Sequence, residues 1–63
     1  VAYLVRGFPD LLDKPDGTAI MGLSGNMTAI GTGNVSGDFI EVKIDDKTGW
    51  VTKNNLVLTY QDN

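Results

Sequence analysis

The chain has 63 residues, 41% of them hydrophobic and 21% charged, with a formal net charge of −3 and neither cysteine nor histidine. A chain this short makes one domain, burying only about 60% of the surface its unfolded form exposes. The composition excludes disulfide reinforcement and any Cys/His metal site. The five basic residues Arg6, Lys14, Lys43, Lys47 and Lys53 are scattered. They form no stripe to neutralise phosphates, so neither nucleic acid nor an anionic membrane surface is an expected partner. No apolar run approaches the ~20 residues of a membrane span, so membrane insertion is not expected. The sequence begins at Val1, and its simplest reading is a processed or excised part of a longer protein.

In chain order, Ala2-Tyr3-Leu4-Val5 reads as a first strand that Gly7-Phe8-Pro9-Asp10 breaks. Leu11-Leu12 is a short apolar pair. Asp13-Lys14-Pro15-Asp16-Gly17 is a turn in which Pro15 presets its own φ and Gly17 is expected to take the positive φ that closes it. Thr18 to Leu23 follows as a strand, with Ala19 and Met21 on one face and Ile20 on the other. Ser24-Gly25-Asn26 turns into Met27 to Ile30, and Gly31 to Gly37 reads as a flexible loop. Asp38 to Ile44 is the clearest strand: Ile40, Val42 and Ile44 point one way, Phe39, Glu41 and Lys43 the other. The turn Asp45 to Thr48 leads to a short strand, Gly49 to Thr52. Lys53-Asn54-Asn55 suits one 3₁₀ turn. Leu56 to Tyr60 is the last strand, and Gln61-Asp62-Asn63 is expected to fray.

Glycines punctuate the chain from Gly7 to Gly49 too often for a helix, since each costs about 1 kcal/mol in a helix interior. The expected fold is therefore all-β, five or six short strands closing into a small barrel that removes exposed edges. Its expected core is Leu12, Ala19, Met21, Leu23, Met27, Ala29, Ile40, Val42, Ile44, Val51 and Leu56.

The stretch SGDFIEVKIDDKTGWVTKNNLV adds a resemblance. Gly37-Asp38-Phe39 opens an alternating strand, a polar turn follows, and then come Gly49-Trp50-Val51, a short polar stretch and Leu56. This pattern resembles the Src-homology-3 (SH3) fold, and more closely the bacterial SH3 domains. LLDKPDGTAIMGLSGN stands where that family has an opening strand and a Gly-Pro loop. The likeness spans Leu11 to Leu58 and is most specific at Thr48 to Val51; Val1 to Pro9 lies outside it. It implies a single domain over 1–63, a five-stranded SH3-like barrel with one 3₁₀ turn before the last strand, and residues 1–10 as an N-terminal extension or extra strand.

Gly49 suits a place where a side chain would block a neighbouring backbone, or where φ is positive. If Val51 faces the core, alternation turns Trp50 outward. Two readings of Trp50 stand: a lid that shields the core, or part of a recognition patch. The resemblance implies that Phe39 and Trp50 border a shallow groove, joined by Asn55 and Tyr60 and with Tyr3 as a further candidate. It does not imply polyproline binding. Thr52 to Asn55 replaces the family's Pro-Ser-Asn-Tyr stretch, and Phe39 stands where a tryptophan would donate a hydrogen bond.

Other constellations reduce to ordinary surface. Asp10, Asp13 and Asp16 do not match an EF-hand loop and read as turn acids. Asp45-Asp46 diverge on a turn and make no acid–base pair. Gly31-Thr32-Gly33 has neither a following helix nor a Lys-Ser/Thr pair, so it is no phosphate loop. Ser24 and Ser36 have no histidine to activate them. Met21 and Met27 read as core filler.

The expectation is a non-catalytic module without cofactor or metal, located in the cell envelope. It would attach a parent envelope protein or cell-wall hydrolase to peptidoglycan or wall peptides. The alternative is a structural or assembly module whose aromatic face packs on another protein domain, or a small subunit beside larger partners.

Overall fold

The computed structural model describes the backbone of residues 1–60 and the side chains of residues 1–59. The expected fraying of 61–63 lies outside the described residues.

The chain is all-β. It forms β1 (Ala2–Val5), β2 (Asp10–Leu12), β3 (Ala19–Gly22), β4 (Thr28–Ser36), β5 (Phe39–Ile44), β6 (Lys47–Thr52), a 3₁₀ turn (Lys53–Asn55) and β7 (Leu56–Tyr60). These make one antiparallel sheet in the order β3-β2-β6-β5-β4-β1-β7. The expected five strands and closed barrel are thus corrected: among the described residues there are seven strands, and β3 and β7 remain as edges. The extra strands have a simple origin. Leu11-Leu12 pairs with Met21 and Ala19 to form a hairpin that continues the sheet beyond β6, and β1 fills the space between β4 and β7.

The sheet nevertheless curls strongly. β6 and β7 stand four strand spacings apart in the sheet order, which would be about 19 Å if it were flat. Only the 3₁₀ turn joins them, and Thr52 to Leu56 spans at most about 14 Å even when extended. At about 2 Å per residue, the observed turn spans nearer 8 Å. The five strands from β6 round to β7 must therefore wrap about a common interior.

That interior holds Val5, Leu11, Leu23, Ala29, Val42, Ile44 and Val51, with Tyr3, Met21, Met27, Ile40 and Leu56 packed against it. Two core expectations are corrected. Leu11, 0% exposed, turns inward in place of Leu12, because the register sets Leu12 opposite Trp50 on the outer face. Ala19, opposite Leu12, shares that face and is exposed. Val5, absent from the expected core, is buried.

The expected loop over residues 31–37 is also corrected. β4 runs through to Ser36, and the turn is Gly37-Asp38 alone, with Gly37 at φ 57°. The glycine-rich stretch bulges the strand instead of breaking it: the register shifts between Gly31 and Val35, where three β4 residues face Glu41 alone. Two turn expectations change as well. The positive φ of the Asp13–Gly17 turn belongs to Asp16, at 58°, not to Gly17. Lys47 and Thr48 belong to β6, leaving Asp45-Asp46 as the connection from Ile44 to Lys47, with Asp45 at φ 55°.

Candidate functional site

Residues directly opposite each other on antiparallel strands share a face, with Cβ atoms about 4.5–5.5 Å apart. On the sheet face away from the core, Ala19 stands opposite Leu12, Leu12 opposite Trp50, and Trp50 opposite Glu41. Phe39, opposite Thr52, lies diagonally next to Trp50 on the same face. Leu12, Trp50, Glu41, Phe39 and Thr52 are all half-buried, open to solvent on one side.

Gly49 makes this face possible. A Cβ there would lie 2.6 Å from the Leu12 carbonyl oxygen and 2.7 Å from Leu11 Cγ. The reason for glycine is therefore close approach, not positive φ: β6 comes near enough to β2 to set the indole beside Leu12. Val51, 0% exposed, points into the core, so Trp50 points away from it and does not plug the interior.

Glu41 is fixed by the β4 bulge. Thr32 Oγ1 donates to Glu41 Oε1 at 2.7 Å, and Asn34 Nδ2 donates to the same oxygen at 2.8 Å. These two hydrogen bonds, that from Thr32 first, hold the carboxyl below its ordinary pKa. The result is a carboxylate anchored beside a tryptophan.

The other expected site residues fall elsewhere. Asn55 is engaged by the scaffold: its Nδ2 donates to the Arg6 carbonyl at 2.9 Å, and its Oδ1 accepts from the Thr52 hydroxyl. It ties the 3₁₀ turn to the segment after β1. The Tyr60 side chain lies outside the described residues. Tyr3 is on the core side of β1, away from Trp50. A pocket of ≈ 220 Å³ lies beside the aromatic face, lined by Asp38, Thr52, Lys53 and Asn54. There the Lys53 N–H donates to the Asp38 carbonyl at 2.8 Å.

Sequence reasoning missed the roles of Leu12, Thr32 and Asn34. Alternation did set Glu41 on the face of Phe39, but nothing short of the bulge register signals that Thr32 and Asn34 converge on it. The turn acids do not assemble. Asp13 Oδ1 accepts from the Thr18 N–H at 2.8 Å, a local turn bond. Among the described residues no three Asp or Glu side chains gather as metal ligands, and no helix is long and apolar enough to cross a membrane.

No family model, curated protein or solved structure matches the chain.

Proposed function

We propose that this chain is a non-catalytic binding module of the bacterial SH3 type. It would hold a parent envelope protein or cell-wall hydrolase on peptidoglycan or its peptides, outside the cytoplasm. The observation that carries this reading is that Trp50 and Phe39, both half-buried, stand diagonal to one another on the sheet face opposite the core. Rigid aromatics held by a β-scaffold offer contact area at low entropic cost, the usual make-up of a recognition surface. The SH3-like reading draws support from the wrap of β6-β5-β4-β1-β7 and the 3₁₀ turn that joins its two ends, with β2 and β3 as an added hairpin. The chain lacks histidine and cysteine, which favours binding over catalysis. The test is retention on purified sacculi. The wild-type chain should be retained, and Trp50→Ala and Phe39→Ala should each lower retention at least fivefold while keeping a folded NMR spectrum. Passage of the wild-type chain through the sacculi unretained would refute the wall reading.

A second reading, an assembly module docking on another protein domain, is favoured by a different observation. The edge strand β7 exposes Val57 at 45% and Leu58 at 51%. Under that reading the amides of β7 should exchange more slowly in the parent assembly than in this chain alone, and unchanged exchange would refute it.

A further inference from the structure

We propose, building on the binding-module reading, that the Trp50–Glu41 pair is a subsite for a peptide side-chain ammonium of the lysine type. The row Leu12–Trp50–Glu41 crosses three adjacent strands, so its two ends stand about 10 Å apart. One end is apolar, the centre is an aromatic face, and the far end is a carboxylate. A lysine side chain has the complementary order: methylenes that pack on apolar surface and a terminal cation. The indole attracts a cation through its π face, and the carboxylate pairs with it.

Glu41 is prepared for this role. Thr32 and Asn34 both donate to Oε1, which fixes the carboxyl without using Oε2 in either bond. Both anchors are neutral, so they orient the carboxylate and keep its charge. Lys43, the next residue outward on the same face of β5, belongs to a separate row opposite Thr48 and Ile30, about 7 Å along the strand. The net charge of −3 favours a cationic partner at longer range.

The experiment is an NMR titration of the whole chain with a blocked Gly-Lys-Gly peptide and with the same peptide carrying Nε-acetyl-lysine. The free amine should shift the Leu12, Glu41 and Trp50 signals, and acetylation should weaken binding about tenfold. Glu41→Gln and Trp50→Leu, each checked for a native spectrum, should do the same, and added salt should weaken the wild-type complex. Equal affinity for the two peptides, no binding of either, or undiminished affinity in Glu41→Gln would overturn the inference. Sacculi with free and with acetylated amines separate it from the wall reading. Selective retention on the free-amine sacculi supports both. Equal retention on the two overturns the ammonium subsite alone. Retention on neither, with the lysine peptide still bound, overturns the wall reading alone.

Discussion

At the residue scale, the chemistry of the outer face rests on one carboxylate and its two donors. Because the hydrogen bonds from Thr32 and Asn34 hold the Glu41 pKa below its unfolded value, they stabilise the fold above the unfolded carboxylate pKa. That contribution is lost as pH falls through the folded pKa. Thr32→Val removes the shorter of the two bonds and should raise the Glu41 pKa toward the ordinary carboxylate range, as read by NMR titration of its carboxyl carbon. The variant should then lose less stability on acidification than the wild type. An unchanged Glu41 titration would show that the Thr32 hydroxyl does not anchor the carboxylate. This arrangement was not legible in the sequence. Gly31-Thr32-Gly33 looks like a loop, and only the paired register of β4 and β5 turns it into a bulge that aims two side chains at one oxygen.

At the scale of strands, the contact between β2 and β6 decides whether the outer face exists. A Cβ at residue 49 would collide with the backbone of β2, and a strand gives way less readily than a side chain. Gly49→Ala should therefore cost about 1–3 kcal/mol, the range for overpacking a tight site. It should also loosen the β2–β3 hairpin, seen as faster amide exchange there than in β5. A variant as stable as wild type, with unchanged exchange, would contradict the close approach. The sequence signalled this contact only in part. A glycine directly before the tryptophan implied either a blocked side chain or a positive φ, of which the structure shows the first, and alternation in Phe39 to Ile44 assigned the two faces of β5. It could not signal which of Leu11 and Leu12 turns inward. Two adjacent leucines carry no period, and register against β6 alone makes the choice.

At the scale of the whole molecule, the core is small enough that single side chains matter. Globular domains have about 0.05–0.15 kcal/mol of stability per residue, or about 3–9 kcal/mol here. Leu11→Ala, at a fully buried position, should cost about 2–5 kcal/mol and leave much of the population unfolded. Leu12→Ala, one residue on but on the outer face, should cost about 1 kcal/mol or less. Urea titration of the two variants checks the difference, and equal losses would contradict the assignment of faces. The all-β class and the 3₁₀ turn were plain from glycine spacing and the polar run Lys53 to Asn55. The strand count was not, because a three-residue strand such as β2 has no sequence pattern of its own.

The position of β1 has a consequence for how the protein is made. Its neighbours are β4 and β7, so Tyr3 pairs with Ala29 and with Leu58, both made well after it. Within this sheet β1 is synthesised before both of its partners and must wait for β7. Until Leu56 to Tyr60 emerges from the exit tunnel, Val5 has no finished interior to enter, and the nascent segment is open to chaperones and proteases.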